Sequence, residues 1–344
     1  MKKYDKNSLI GFALMAIILI VFNTFFFPEI PEEQEPDNSQ TEDVIVETRF
    51  TETKFAAPLQ SSSFINEDLK LKYGVFSSAA NGKDEFQVIE NDKLKITVAN
   101  KGGRIVSVIL KEYQTFDSLA LDLFDSDSSR FNLQFTTGQI INTADLYFVA
   151  EQSSNSLSMK LKADETHYLE YIYTLSNDYL IDFDINFVGI ENLIPAGINY
   201  MNLEWQMKTP QTEKSKTNQD MYTGIQYQYS ADNEGDYLSF TSTDEDKINA
   251  RLNWVAFKQQ FFSAIFISKD GFEKPTHLTS TKSEGSKFIK DLSAKFELPY
   301  KHKSEEQLNF QFYFGPNHYK TLKAYDSGFE ELVPLGWGMF GWVN

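Results

Sequence analysis

One uninterrupted apolar segment near the N-terminus limits what this chain can fold into more than any other feature. The 19 residues from Leu9 to Phe27 include no charged side chain, and only Asn23 and Thr24 are clearly polar. As an α-helix this segment would be ~28 Å long, close to the ~30 Å thickness of a bilayer's hydrocarbon core. We therefore predict that it spans a membrane.

The charges on either side of the segment predict its orientation. Three lysines precede it and five acidic residues follow within ten positions, namely Lys2, Lys3 and Lys6, then Glu29, Glu32, Glu33, Glu35 and Asp37. The positive-inside rule then puts the N-terminus in the cytoplasm and everything after Pro28 outside. A cleaved signal peptide is the alternative, but the apolar stretch is longer than the roughly 7 to 15 residues of such a peptide and lacks a small-residue cleavage site. A retained anchor over residues 1–28 is favoured.

An acidic stretch follows the predicted anchor. Residues 29–48 contain eight acidic side chains and neither Lys nor Arg, and Pro31 and Pro36 interrupt them. Such a composition cannot bury a core. A solvated spacer is favoured over a partner-docking tail. We predict a flexible acidic tether over residues 29–85, with regular structure beginning near Phe86.

The middle of the chain has the period-2 hydrophobic pattern of β-strands. In Lys93–Val98 apolar and polar side chains alternate, Gly102 and Gly103 permit a tight reversal, and Ile105–Leu110 supplies a returning strand. Residues 93–110 therefore predict a hairpin.

The same alternation recurs in residues 168–175, 181–187 and 307–314, and the chain has 30 Phe and 17 Tyr, which favour pleated, half-buried surfaces. Strands that follow one another without long helical stretches predict an antiparallel sandwich over residues 86–315.

The pattern changes after Gly315. Pro316 and Asn317 have the chemistry of a helix start, with Tyr319 and Leu322 on one face, so we predict a short helix ending near Gly328. Residues 335–343 are uncharged and rich in Trp and Phe. Such a segment suits a membrane interface. We therefore assign residues 316–344 to a helix and the start of an interfacial segment, and expect the natural protein to continue into further membrane structure.

Several kinds of chemistry lack support. The formal net charge of −17 argues against nucleic-acid binding, and the absence of cysteine excludes disulfides, thiolate nucleophiles and Cys-ligated metals. The four histidines are far apart in sequence, at positions 167, 277, 302 and 318. The sequence has no phosphate-binding loop, nucleophile elbow or dinucleotide glycine motif. We expect no catalytic residue, no cofactor and no metal, and hence no enzyme.

The order of these features resembles the YidC membrane protein insertases of Gram-negative bacteria. The run Asn91–Ile105 resembles the family's opening hairpin, and Asn253–Ala264 resembles its Trp-Val-Ala and Gln-Gln-aromatic-Phe segment. Tyr313–Pro316 resembles the Gly-Pro that closes its last strand, and Leu335–Trp342 the start of its interfacial helix. The positions that match family motifs are Gly102, Gly103, Trp254, Gln259, Gln260, Gly315, Pro316 and Trp337.

These positions are expected to be structural. The glycines are turn residues, and Trp254, Phe257 and Phe261 recur at helical spacing, which favours a core position over a docking site.

The resemblance implies a periplasmic, mutarotase-like β-supersandwich behind an inner-membrane anchor. It also implies insertion, folding and assembly of membrane proteins, alone or beside the Sec translocon. The expected partners are the lipid bilayer, nascent membrane proteins and Sec translocon subunits. The family's insertase core lies downstream of residue 344, so none of its residues can be assigned here.

One alternative from another class stays open at this point, a membrane-anchored sugar-binding protein or aldose epimerase on the same sandwich. Fold alone does not separate the two. Aldose ring opening needs a placed acid and base, commonly His with a carboxylate, and the scarcity of His weakens this alternative.

Overall fold

Antiparallel β-strands make up most of the chain that the computed structural model describes, which is residues 61–125, 128–285 and 287–334. They form three sheets. The all-β prediction is confirmed, with short helices at positions that connect or flank the sheets.

The largest sheet has nine strands. In chain order these are β7 (Val149–Gln152), β8 (Ser156–Lys162), β9 (Tyr168–Leu175), β10 (Leu180–Val188), β12 (Gly224–Tyr229), β13 (Gly235–Tyr237), β15 (Leu252–Lys258), β16 (Phe262–Phe272) and β19 (Glu305–Pro316). Their order across the sheet is β13-β12-β15-β16-β19-β10-β9-β8-β7.

The second sheet has six strands and the third has four. The six are β5 (Ser129–Thr136), β6 (Ile140–Asn142), β11 (Tyr200–Pro210), β14 (Asp244–Ile248), β17 (Thr276–Lys282) and β18 (Phe288–Pro299), in the order β14-β17-β18-β11-β5-β6. The four are β1 (Phe86–Glu90), β2 (Leu94–Ala99), β3 (Ile105–Gln114) and β4 (Ala120–Asp122), paired in chain order.

Aromatic side chains join the nine-stranded sheet to the six-stranded sheet. Trp205 on β11 stacks on Phe257 of β15 with ring centroids 3.9 Å apart, and Phe272 on β16 stacks on Phe296 of β18 at 4.2 Å. Because alternate residues of each strand point into this space, the two inner faces form one continuous core.

The four-stranded sheet packs against the same inner face of the nine-stranded sheet. The Tyr173 hydroxyl of β9 donates a hydrogen bond to the Gly103 carbonyl at 2.8 Å. The rings of Tyr113 and Phe262 lie 5.1 Å apart in an edge-to-face arrangement. The domain is therefore two-layered, with the two smaller sheets side by side in one layer.

The predicted strands are confirmed. β2 pairs with β3 from Leu94 opposite Leu110, which is the predicted hairpin. The alternating segments 168–175, 181–187 and 307–314 lie within β9, β10 and β19. On β10 the buried side chains are those predicted to face the core, Ile181, Phe183, Ile185 and Phe187.

The prediction that regular structure begins near Phe86 is wrong. A helix, α1, covers Ser61–Tyr73, and a 3₁₀ helix follows at Gly74–Ala80. Phe76 is fully buried, with its ring 5.7 Å from that of Phe135. The acidic residues that indicated a tether lie mostly before residue 49. They do not describe residues 61–80, which Phe76 fastens to the core.

Two further predictions need correction. β19 continues through Pro316, and the helix that follows, α3, is only Tyr319–Lys323, with a 3₁₀ helix at Phe329–Leu332. Trp254 and Phe257 lie on a strand rather than at helical spacing, and Phe261 is exposed. A short helix, α2, at Lys216–Tyr222 and a 3₁₀ turn at Thr143–Asp145 complete the fold.

Within the three described ranges, no helix has both the length and the apolar character needed to cross a bilayer. The predicted span at residues 9–27, the acidic residues 29–48 and the Trp-rich residues 335–343 lie outside those ranges.

Candidate functional site

Four of the motif positions come together where β19 ends. Gln259 and Gln260 lie in the turn between β15 and β16, and Gly315 and Pro316 are the last residues of β19. Gly315 pairs with Ser263 and Pro316 with Phe262, so the turn and the strand end lie side by side. We call this place, including Asn317, the C-terminal junction.

Asn317 determines how the chain leaves the sheet at this junction. Its backbone N–H donates to the Phe261 carbonyl at 2.7 Å, and its side-chain amide donates to the Gln259 carbonyl at 2.9 Å. Its side-chain oxygen accepts from the Ser263 hydroxyl at 2.7 Å. Asn317 is therefore not the helix start predicted from the sequence, and its partners, more than fifty positions away, leave no local pattern.

Gly315 is required by close packing. A Cβ at this position would lie 2.6 Å from the Tyr313 hydroxyl and 2.9 Å from the Tyr179 ring. The Tyr313 hydroxyl in turn donates to the Pro316 carbonyl at 2.8 Å. The Gly-Pro pair therefore ends the strand against a tyrosine cluster that admits no side chain at residue 315.

A second glutamine, which sequence analysis missed, is linked to Gln259. Gln219 on α2 is fully buried, and its amide nitrogen donates to the Gln259 side-chain oxygen at 3.2 Å and to the Pro210 carbonyl at 3.0 Å. Its oxygen accepts from the backbone N–H groups of Thr212 and Glu213 at 3.0 and 3.1 Å. The amide satisfies a loop that would otherwise bury unpaired backbone groups.

Gln260 is the remaining glutamine of the motif. Its side-chain oxygen is buried and has no hydrogen-bond partner among the described atoms.

Beyond the junction, residues 318–334 lie on the outer face of the nine-stranded sheet, and we call them the C-terminal segment. The indole N–H of Trp254 donates to the Ser327 carbonyl at 3.0 Å, and the Gln226 amide donates to the Glu331 carbonyl at 3.2 Å. Phe329 is buried, with ring centroids 5.8 Å from Trp254 and 6.0 Å from Tyr313. Trp254 is therefore the docking platform for this segment.

The glycines of the opening hairpin lie elsewhere. Gly102 and Gly103 both adopt positive φ, at 81° and 61°, between β2 and β3. Trp337 lies outside the described residues.

Two buried lysines hold the loops next to the junction. Lys258 is 3% exposed, donates to the Tyr222 carbonyl at 3.2 Å and lies 5.3 Å from the Phe240 ring, and burial lowers its pKa to about 8. Lys290 donates to the carbonyls of Thr223 and Phe240. Burial lowers the Lys290 pKa, while Asp220 at 3.5 Å opposes the shift. Both ammonium groups bind backbone carbonyls, which is a structural use.

The outer face of the six-stranded sheet carries a polar cleft of about 340 Å³, lined by side chains including Asn132, Asn202, Glu204, His277 and Lys295. Glu204 is ion-paired, 3.4 Å from Arg130 and 3.3 Å from Lys295. The one phenyl ring in the lining, Phe296, is 1% exposed, so it offers no stacking platform of the kind that sugars use.

Two histidines make separate local contacts, whereas His277 lines the polar cleft. His167 lies 2.7 Å from Asp164, and the His302 ring nitrogen bonds the Ile198 carbonyl at 2.8 Å. Across the described ranges, no group of three or more His, Asp or Glu side chains is placed to hold a metal ion.

The profile of the YidC periplasmic domain matches residues 87–343. The membrane protein insertase YidC of Parabacteroides distasonis is 34% identical over 366 residues, covering 99% of this chain and 57% of the relative. That of Bacteroides fragilis is 36% identical over 352 residues, covering 99% and 56%. The chain thus spans little more than half the length of these curated relatives.

Among solved structures, a galactose mutarotase-related enzyme from Lactobacillus acidophilus covers 67% of this chain and 97% of its own, at 12% identity and a TM-score of 0.41. A likeness at this level supports no inference about activity.

Proposed function

This chain belongs to the YidC periplasmic domain family, and from that premise we propose that it is the N-terminal part of a membrane protein insertase. The whole protein would assist the insertion, folding and assembly of inner-membrane proteins, alone or with the Sec translocon. The observation that carries the proposal is the family match over residues 87–343 together with relatives of 34 and 36% identity along nearly the whole chain.

The proposed organisation has four parts. Residues 1–28 are a cytoplasmic tail and membrane anchor, and residues 29–85 connect it to the folded domain, with α1 and the first 3₁₀ helix near their end. Residues 86–315 are the periplasmic β-domain, and residues 316–344 lead towards the membrane. The opposite charges on the two sides of residues 9–27 support this topology.

Insertion needs no covalent chemistry. Burying an apolar helix in a bilayer is favourable, and the barrier comes from carrying polar flanks and backbone across it. The junction fits a supporting role, because three hydrogen bonds of Asn317 and the packing around Gly315 set the direction of the chain as it leaves the sheet. We propose that the C-terminal junction orients the membrane part of the whole protein relative to its β-domain.

Complementation tests the proposal. In a strain depleted of the Bacteroides fragilis relative, we expect residues 1–344 alone to give no growth, since the relative is nearly twice as long. A chimera with this chain in place of the relative's matching segment should restore growth. Failure of a well-expressed chimera would contradict the proposal, and rescue by residues 1–344 alone would contradict the need for the downstream part.

The orienting role of the C-terminal junction is tested in the same chimera. Gly315→Val should reduce rescue, because its side chain would collide with Tyr313 and Tyr179. Lys320→Ala, on an exposed position of α3, is the matched control and should leave rescue unchanged.

The sugar-binding or epimerase alternative has no comparable support. The polar cleft on the six-stranded sheet brings His277 and Glu204 into one lining, but Glu204 is ion-paired with Arg130 and Lys295 and the Phe296 ring is buried. Incubating the chain with aldoses and following optical rotation would reveal catalysed mutarotation if the alternative were correct.

A further inference from the structure

One end of the domain presents apolar side chains to solvent on separate loops. Phe116 and Leu119 lie on the loop between β3 and β4 and are 52% and 62% exposed, and Phe261 at the tip of the β15–β16 turn is 52% exposed. Met221 and Tyr222 at the end of α2 are exposed as well. We call these five residues the apolar end.

Hydrogen bonds connect the loops that carry them. The Phe116 N–H donates to the Thr212 carbonyl at 3.1 Å, and the Thr212 N–H donates to the Gln219 side chain on α2. Gln219 then bonds Gln259, the first residue of the turn that carries Phe261. The five side chains therefore belong to one surface held together by a buried polar network.

The turn at Gln259–Phe262 shows that the exposure of Phe261 is built in. The Gln259 N–H donates to the Phe262 carbonyl at 2.8 Å, which leaves Gln260 and Phe261 at the tip. Phe262 turns inward and is 6% exposed, whereas Phe261 points out. Tight turns favour Asn, Asp and Gly, so turn chemistry does not account for a Phe at this tip.

The shape of this surface favours a membrane over a protein helix. A helix partner needs a continuous groove, but here the apolar groups stand on three loop tips. Separate aromatic and aliphatic tips suit a bilayer interface, where rings settle among the headgroups.

The C-terminal segment also runs close to the apolar end. Glu331 bonds Gln226, which lies two strand positions, or about 7 Å, from Gly224. Gly224 pairs with Lys258, the residue just before the turn. The apolar, uncharged residues 335–343 follow shortly after.

We propose that the apolar end contacts the outer headgroup region of the membrane in which the chain is anchored. The proposal rests on the proposed function for the presence of that membrane. It adds the surface that faces the lipid and therefore the orientation of the β-domain.

Site-directed fluorescence quenching tests it, because the chain has no cysteine and single labels carry no background. Residues 1–344 bearing Leu119→Cys or Phe261→Cys are labelled with an environment-sensitive dye. They are then reconstituted in phosphatidylethanolamine and phosphatidylglycerol vesicles containing headgroup-proximal doxyl lipids.

Matched controls are Ile140→Cys and Tyr200→Cys, which are 65% and 53% exposed at the other end of the domain. Tyr200 begins β11, whose last residue Pro210 bonds Gln219, so it lies ten strand positions, or roughly 33 Å, from the apolar end. Leu19→Cys, at the middle of the predicted span, is measured in parallel vesicles whose doxyl groups lie near the acyl-chain ends and reports whether the anchor is in the bilayer.

We expect quenching at Leu119 and Phe261 at least about twofold stronger than at Ile140 and Tyr200. Equal quenching at all four positions would overturn the proposal. Weak quenching with a blue-shifted label at Phe261 would also overturn it and would indicate a protein partner or a second copy on this surface.

A second variant tests whether the attached dye itself causes the labelled loop to bind the membrane. Phe116→Ser with Phe261→Ser should lower quenching at Leu119 to the level of the controls, and unchanged quenching would count against the proposal. Loss of quenching at Leu19 alone would contradict the anchor and the proposed topology, with the apolar end still supported by Leu119 and Phe261.

Discussion

Lys258 shows at the residue scale how a strand position can acquire an unexpected environment. On β15 it follows Trp254 and Ala256 on the outer face of the sheet, where a lysine would normally reach water. Tyr222 and Phe240 cover it instead, and its ammonium group donates a hydrogen bond to the Tyr222 carbonyl. A charged ammonium in this place is costly, so its stability contribution depends on pH.

The pH dependence has a definite sign. The folded-state pKa is about 8, whereas an unfolded lysine titrates near 10.4, so between these values the unfolded chain binds more protons. Folding stability therefore rises with pH in this window. We expect the advantage of Lys258→Met over wild type, measured by urea unfolding, to shrink by about 2.5 kcal/mol from pH 8 to 10.5. Lys320→Met controls for the loss of an exposed charge, and a pH-independent difference for Lys258→Met would contradict the burial argument.

Two hairpin glycines allow the free-energy cost of backbone strain to be measured separately from the cost of steric overlap. Gly103 has φ 61° and its Cβ would lie 2.8 Å from the Phe148 ring, whereas Gly138 has φ 94° with nothing within 4 Å. Gly138→Ala should lose about 1 kcal/mol of unfolding free energy, the cost of a left-handed alanine, and Gly103→Ala about 3 kcal/mol because it adds overpacking. Equal losses in denaturant titrations would show that Phe148 moves away freely.

At the scale of elements, the C-terminal segment depends on the sheet beneath it. α3 has five residues and the following 3₁₀ helix has four, both too short to be stable alone. Their apolar anchors are Leu322, Phe329 and Leu332, all buried. The segment is therefore a tertiary structure laid on β15 and β19.

Removing its central anchor should loosen this segment selectively. Phe329→Ala leaves a cavity between Trp254 and Tyr313 and should cost about 3 kcal/mol. Amide hydrogen exchange should then accelerate in residues 319–333 while β9 and β10 stay protected. Lys320→Ala should change neither, and an acceleration spread evenly over all sheets would contradict a separately docked segment.

At the scale of the whole molecule, the two layers share one aromatic core, and the predicted anchor is a separate hydrophobic unit of 19 residues. Buried contacts of the β-domain join residues of all three sheets, such as Phe131 with Phe183 and Tyr173 with Gly103. The domain therefore does not need the apolar N-terminus for its core.

Deleting the anchor should consequently release the domain. After carbonate extraction of membranes, which strips peripheral proteins, residues 1–344 should stay in the pellet and residues 29–344 should move to the supernatant. A fragment 29–344 that still sedimented after carbonate would contradict the topology. A weak attachment of this fragment before carbonate is compatible with lipid contact at the apolar end.

Local periodicity was enough to predict several elements of this fold. β10 was recognisable because apolar and polar residues alternate along it, and side chains on a strand alternate between faces whatever the partner. The β2–β3 hairpin was recognisable because paired glycines tolerate positive φ. The order of the motifs also indicated the family, because that order is a property of the linear sequence and requires no knowledge of contacts between distant residues.

Contacts between side chains far apart in the chain could not be predicted and are visible only in the folded molecule. Gln219 bonds Gln259 across 40 positions and Gln226 bonds Glu331 across 105, and no local pattern marks such pairs. The burial of Lys258 and the exposure of Phe261 were likewise decided by what packs over each position. Periodicity shows which face of a helix or strand is apolar. Which other element covers that face depends on how the whole molecule packs.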